Sequence, residues 1–562
     1  MTDDKILRKS FAFAAFFFIA TASAADPPGH AAIASAHNLA TDAGFEVLAQ
    51  GGNAFDAAVA VASTLSVVEP QSSGLGGGGF FLVRRAADGK ETMIDARETA
   101  PAAVDSKDYL KPNGEPDRDH ALNGPLSAAI PGEPAAFVWL ARNYGKLPLS
   151  KSLAPAIRIA RNGFKPDSRF LGELAGMSAR IARYPGSAAL YLVDGQPPQT
   201  GWTFRSPDLA RALEKIAAEG NDGFYRGEIA QKLVDGVRAA GGRWALDDLA
   251  NYTVKEREPL RFEYRGWHIV TAPPPSSGGI ALAEMFNMLS GYDLDRLDRV
   301  HRVHTIVETM RRAFRDRAEY LGDPDFVQMP VAELTNPLYA AGLRASIHPE
   351  KATPSDMLPG YMPPAESRHT SHFSIVDADG NLVSATQTVN TTFGSKFVVP
   401  GTGFVLNNEM DDFALVAGKP NAYGLLGADA NAPKPGSRPL SSMTPSFVVG
   451  KDRVGVIGTP GGSAIITMVL EGILAFIDGD PPAKITAMPR YHHQYLPDKI
   501  SAEHDAFSPD EQRALGQMGY QFDIAPGVWS YGYMNVVSWD RATGKMEAAS
   551  DPRRPSGSGK VQ

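Results

Sequence analysis

The chain has 562 residues, 43% apolar and 21% charged, the balance of an ordinary globular protein with length for about two to four average domains. A formal net charge of −8 leaves no basic footprint, which sets aside nucleic acid and anionic membrane surfaces as partners and leaves small molecules. With no cysteine, thiolate nucleophiles, disulfides and thiolate zinc sites are excluded, and covalent catalysis must use Ser, Thr, Lys, a carboxylate, His or Tyr.

Lys5, Arg8 and Lys9 precede an apolar run over 11–20 and then Ala22-Ser23-Ala24, which reads as a signal peptide over 1–24 and a periplasmic or secreted mature chain. The run is too short to span roughly 30 Å of hydrocarbon, and no later segment has the apolar length. The Ala/Val-rich spacing of 31–68, broken at Gly51-Gly52-Asn53, predicts two helices, and 80–83 with 92–94 around Ala87-Asp88-Gly89 predicts a hairpin. Helical patterns at 152–161, 206–219, 230–240, 280–289 and 301–320 mark 147–344 as a helical layer or subdomain. The proline-rich stretch 348–368 has neither period and reads as an exposed loop ending just before Thr370. Beyond it come three hairpins, 373–376 with 382–387, 446–449 with 454–457 and 535–539 with 545–548, and a buried apolar helix at 465–476. Strands from both halves with flanking helices give an α+β fold, a four-layer αββα sandwich.

Thr370 opens the strand-like stretch Thr370-Ser371-His372-Phe373-Ser374-Ile375-Val376. A threonine hydroxyl is a poor nucleophile near neutral pH without an adjacent base. Scission before Thr370 would supply one, because an α-amino group of pKa about 7.7–8.0 is appreciably neutral there. A flexible segment ahead suits such a cut. Taken alone, a threonine at a strand start is structural, since β-branched residues suit strands.

Four further stretches set Thr370 in context: 273–279 (Pro-Pro-Pro-Ser-Ser-Gly-Gly), 406–413 (Leu-Asn-Asn-Glu-Met-Asp-Asp-Phe), 438–445 (Arg-Pro-Leu-Ser-Ser-Met-Thr-Pro) and 458–463 (Gly-Thr-Pro-Gly-Gly-Ser). Together they resemble the γ-glutamyltranspeptidase family of N-terminal-nucleophile hydrolases, from about Ala31 to Arg554. The resemblance implies two stacked antiparallel sheets between helical layers. It also implies self-cleavage between His369 and Thr370, giving a large fragment (25–369, with Arg97) and a small one (370–562) that stay associated. Thr370 then attacks the substrate and Thr388 orients and activates it. Asn390, two residues on and hence on the same side of a strand, meets the substrate α-amino group.

A γ-glutamyl group carries an ammonium and a carboxylate on one carbon, so its pocket needs both acceptors and a cation. By the resemblance Glu409 and Asp412 are the acceptors; relatives carry Gln or Glu at the first position, and both accept. Arg97 clamps the carboxylate with its planar fork, and Ser441 and Ser442 complete that end. Gly461 and Gly462, ahead of the apolar helix, form an oxyanion hole. Residues 421–427 form a lid closed by Tyr423, an insertion that some cephalosporin-acylase relatives lack and that favours glutathione-like donors. The implied reaction transfers the γ-glutamyl group of amides such as glutathione to water, an amino acid or a dipeptide, through a threonine ester. No metal or organic cofactor is needed.

Local readings compete with several of these assignments. Arg97 could pair with Glu98 at the surface. Asp411-Asp412 could be a solvated loop, Thr388 and Asn390 a polar outer face, and Gly461-Gly462 a tight strand-to-helix turn. The glycine run 74–79 satisfies a dinucleotide pattern, but a helical stretch precedes it and a strand follows, the reverse of a phosphate-binding turn. His301 with His304, and His492-His493, lack a zinc motif and read as core or surface histidines. No Gly-x-Ser-x-Gly elbow surrounds a nominated serine. The competing functions are a β-lactam side-chain acylase of the same fold, an uncut binder of γ-glutamyl compounds, and a nucleotide-dependent oxidoreductase.

Overall fold

Alternation along the second strand shows how the layers arise. Phe81 and Val83 point into one apolar core, while their neighbours Phe80 and Leu82 point into another, and all four are fully buried. Burying each is worth about 1.5–3 kcal/mol. Such a strand belongs in the middle of a sandwich. The computed structural model describes residues 27–358, 370–415, 419–526 and 532–562, so the expected signal peptide, His369 and 359–368 of the expected loop lie outside the described residues.

In chain order the strands are β1 (Ala32–Ser35), β2 (Gly78–Arg84), β3 (Glu91–Ala96), β4 (Lys255–Arg257), β5 (Leu260–Tyr264) and β6 (Trp267–Thr271). Then come β7 (Ser371–Val376), β8 (Leu382–Thr388), β9 (Ser446–Val449), β10 (Arg453–Gly458), β11 (Tyr491–His492) and β12 (Ile500–Ala502). The last four are β13 (Phe522–Ile524), β14 (Asn535–Asp540), β15 (Met546–Ser550) and β16 (Ser558–Val561). A seven-stranded sheet runs β16-β1-β7-β8-β2-β3-β4, a six-stranded sheet runs β15-β14-β10-β9-β6-β5, and β11 to β13 form a small third sheet. Every pairing in the two large sheets is antiparallel.

The sheets face one another. Ser384 Oγ on β8 donates to Ile457 O on β10, and Ser374 Oγ on β7 donates to Asn535 O on β14. Outside the first sheet lie helices Asn38–Ala49, Ala54–Val68, Leu149–Asn162 and Pro207–Glu219; outside the second lie Gly278–Leu289, Arg299–Tyr320 and Ile465–Ile477. Helix Ala54–Val68 is buried along its whole length. Its start is fixed by an Asn53/Asp56 capping box, and Asp377 Oδ2 accepts the Ala54 N–H at 2.8 Å.

Three expectations are corrected. Residues 32–35 are a strand, because they pair with both β7 and β16, partners far away in sequence that local spacing cannot reveal. The stretch 147–344 is no subdomain. It is interrupted by β4, β5 and β6, two of which complete the second sheet, and its helices divide between the two outer layers. Within 348–358 the chain is not uniformly exposed either: Ser355 is fully buried and donates to Tyr495 O at 2.6 Å.

The glycine run 74–79 serves packing. A Cβ on Gly77 would lie 2.0 Å from Thr388 O, and one on Gly76 would lie 2.0 Å from Val405 O, so only glycine lets the start of β2 press against these segments. Gly77→Ala is expected to destabilise the protein by about 1–3 kcal/mol, because backbone must move to admit the methyl. A lowered denaturant midpoint checks this.

Candidate active site

Strand register sets the first contact. In the β7/β8 pair Ser371 lies opposite Gln387, so Thr370 falls opposite Thr388, and their Oγ1 atoms are 3.2 Å apart. Thr388 Oγ1 also accepts the Asn390 N–H at 2.8 Å. Asn390 is not on the strand, contrary to the alternation argument: β8 ends at Thr388, and Asn390 turns with φ +75°. It still reaches the same cavity, with its Nδ2 donating to Asn408 O at 2.9 Å.

Arg97 follows β3 and is 1% exposed, so its ion pair with Glu98 (3.4 Å) is buried, not a surface pair. Its fork also meets Glu409 at 2.6 Å and Asp412 at 2.5 Å. Nε donates to Pro439 O at 3.1 Å, which fixes the guanidinium against the 438–442 segment. Burial works against the arginine charge, and Glu409, Asp412 and Glu98 together outweigh it and hold the guanidinium firmly protonated. Burial pushes the Glu98 carboxyl up to about 7, with Arg97 opposing, and raises Glu409 well above the usual carboxylate range.

The serine pair is seated by the 273–279 segment. Ser441 N–H donates to Pro275 O and Ser277 N–H donates to Ser441 O, both at 2.8 Å, while Ser276 Oγ donates to Met443 O at 2.7 Å. Ser442 Oγ is buried and has no hydrogen-bond partner among the described residues. Beyond β10, Gly461 (φ 143°) and Gly462 (φ +58°) turn the chain into helix Ile465–Ile477. Among the described residues neither glycine N–H is engaged in a hydrogen bond. A Cβ on Gly462 would meet the Tyr423 ring at 2.4 Å.

That ring belongs to the expected lid, which is tied down. Tyr423 OH donates to Asn390 O at 2.7 Å, Asn421 Nδ2 donates to Asp412 Oδ1 at 3.2 Å, and Ala422 N–H donates to Asp411 Oδ2 at 2.7 Å. Asp411 is therefore a buried anchor and not part of a solvated loop.

A small cavity gathers Thr370, Thr388, Asn390, Arg97, Glu409, Asp412, Tyr423, Ser441, Ser442 and Gly462. Gly461 is just outside this lining. Sequence reasoning missed Arg317, which also faces the cavity. It sits in a helix with Arg311, Arg312 and Arg315, and nothing local sets it apart. Histidines of the two pairs that lack a zinc motif have structural partners: His304 bonds Tyr520 OH at 2.8 Å, and His492 bonds Thr467 Oγ1 at 2.9 Å.

Two antiparallel sheets between helical layers, with a threonine at the start of a central strand opening on a polar cavity, define the N-terminal-nucleophile-hydrolase class. The family model for gamma-glutamyltranspeptidase matches residues 40–561, and the chain belongs to that family. It is 41% identical over 536 residues to the glutathione hydrolase proenzyme of Pseudomonas sp. strain A14, covering 93% of each chain. The Escherichia coli K12 glutathione hydrolase proenzyme is 41% identical over 527 residues, 93% of this chain and 90% of that one. Among solved structures, the cephalosporin acylase from Bacillus halodurans superimposes with a TM-score of 0.83 at 29% identity, covering 94% of this chain and 95% of that one.

One pH dependence follows. Burial pushes Asp411 up to about 7, against the Ala422 N–H and Arg118, which pull it down. The folded state then binds a proton that the unfolded state releases near pH 4, so stability present at low pH is lost as pH rises towards 7. Wild type should lose on the order of 2 kcal/mol more than Asp411→Asn between pH 4.5 and 8. Denaturant midpoints of both proteins at the two pH values check this.

Proposed function

We propose that this chain is a γ-glutamyltransferase and glutathione hydrolase that matures by cutting itself before Thr370. The observation that carries the reading is a single cavity lined by a threonine pair, a buried arginine, two carboxylates and two serines. Its relatives named glutathione hydrolase proenzymes support the same activity and a cut precursor.

In maturation, Thr370 Oγ attacks the carbonyl carbon of His369, the N-to-O acyl shift breaks the C–N bond and frees the Thr370 amine, and water then hydrolyses the ester to release the His369 carboxylate and restore the hydroxyl. In turnover, Thr370 Oγ attacks the γ-carbonyl of the donor while that amine takes the hydroxyl proton. The Gly461 and Gly462 N–H groups donate to the oxyanion. Collapse breaks the amide C–N bond, the amine passes its proton to the leaving nitrogen, and a γ-glutamyl ester remains on Thr370. Water or an acceptor amine then attacks the ester and restores the hydroxyl.

The charge pattern suits a zwitterionic head group. Arg97 already pairs with Glu409 and Asp412, so a bound α-ammonium and α-carboxylate would exchange with those internal pairs one for one. Asn390 would join the ammonium side, and Ser441 with the partnerless hydroxyl of Ser442 would meet the carboxylate. Tyr423, lying against Gly462, closes the pocket over the head group. This close lid favours the glutamyl reading over a cephalosporin side-chain acylase, which the likeness to the Bacillus halodurans enzyme raises as a second reading. Turnover of glutaryl-cephalosporin with none of glutathione would establish that second reading instead.

The fragments 25–369 and 370–562 would remain together after the cut, because each large sheet contains strands of both. The 1–24 signal pattern supports export to the periplasm or medium. On a denaturing gel the purified protein should run as two bands, the lighter beginning Thr-Ser-His. Thr370→Ala should give one uncut chain with no turnover, and an alanine variant that matures and turns over normally would overturn the reading.

Arg97→Lys keeps the charge and loses the fork. Its KM for γ-glutamyl-p-nitroanilide should rise by about tenfold or more, with maturation intact, since charge-assisted hydrogen bonds contribute about 1.5–3 kcal/mol each. Steady-state kinetics beside a denaturing gel check both.

A further inference from the structure

Arg317 lines the cavity and a smaller adjoining one, and it is 4% exposed. Arg97 is held by three carboxylates, whereas Arg317 has no ion pair among the described residues. Its attraction is to Asp412, which Arg97 already binds. Its Nε donates to Ser277 Oγ at 3.0 Å, and Ser277 Oγ donates in turn to Ser441 O at 2.7 Å. Ser277 N–H converges on the same carbonyl at 2.8 Å. A buried cation is thus coupled through one hydroxyl to the backbone of the serine pair.

We propose that Arg317 positions the Ser441-Ser442 pair through Ser277 and is a second determinant, beside Arg97, of selectivity for donors that carry an α-carboxylate. This rests on the γ-glutamyl reading above. With Arg97 largely committed to Glu98, Glu409 and Asp412, a ligand carboxylate entering beside the serines needs further positive potential. At a buried position a second guanidinium supplies it without direct contact, because its field is less screened there than in bulk water. The Ser277 relay adds geometry, since moving Ser441 O would displace both hydroxyls that meet the carboxylate. Burial lowers Arg317 only to about 10, so it stays charged at neutral pH.

The test compares two donors, γ-glutamyl-p-nitroanilide and 4-aminobutyryl-p-nitroanilide, the second lacking only the α-carboxylate. For Arg317→Gln, KM for the glutamyl donor should rise by about tenfold or more with kcat changed by less than about threefold, and kcat/KM for the aminobutyryl donor should move by less than about twofold. Ser277→Ala, which keeps the charge and breaks the relay, should show the same donor selectivity at roughly three- to tenfold. Arg317→Lys should recover part of the loss. Equal losses on both donors, or a fall in kcat alone, would overturn the proposal. Should Arg317→Gln fail to mature, Ser277→Ala decides: an unchanged ratio between the donors sinks the idea. If wild type itself leaves the glutamyl anilide uncut, the γ-glutamyl reading fails first, and the two failures are told apart.

Discussion

Taking a guanidinium out of water is costly unless its charge and donors are met, and much of the site follows from how three carboxylates meet that requirement at Arg97. Its three acidic partners come from two distant parts of the chain, Glu98 beside it and Glu409 and Asp412 more than three hundred residues on. Pro439 O receives the remaining arm of the fork and brings in a third segment, the one that carries the serines. Removing any one acid would take a partner from the buried guanidinium. The cluster therefore ties three segments of the chain together at the cavity.

The second constraint is geometric. The threonine pair depends on β7/β8 register, and that register depends on β2 lying tight against β8 through glycines that have no side chain to hold it off. A slip of one residue would turn Thr370 away from Thr388 and bury the wrong face of each strand. The polar cavity thus inherits its precision from the apolar alternation of Phe80, Phe81, Leu82 and Val83 on the neighbouring strand.

Much of this was legible in the residues. Hairpins around 379–380, 451–452 and 541–544 and the long amphipathic helices declare themselves through period and turn chemistry, and the αββα sandwich follows from their order. What spacing could not show was pairing at long range. Residues 32–35 look helical until β7 and β16 are set beside them, and β5 and β6 look incidental amid helices until β9 accepts them. At the site, the motif-bearing residues converge on one cavity with Gly461 at its margin. Asn390 arrives by a left-handed turn instead of strand alternation, because the strand stops two residues earlier. Arg317 was invisible for a different reason: one buried arginine among several on a single helix has no local mark, and only the fold shows which of them faces the cavity.

The interleaving of strands has a temporal corollary. In the larger sheet β1 lies between β16 and β7, while β8 abuts β2, so the two prospective polypeptides are threaded through one another's hydrogen-bond ladders. Such a weave is made most readily from one continuous molecule, where tethering keeps the segments at high effective concentration. Backbone scission, as proposed, would then be an event of the finished architecture, and separately synthesised pieces would face a bimolecular search through exposed strand edges, where aggregation competes. On that proposal the covalent link would be a scaffold for construction, dispensable once the masonry has set.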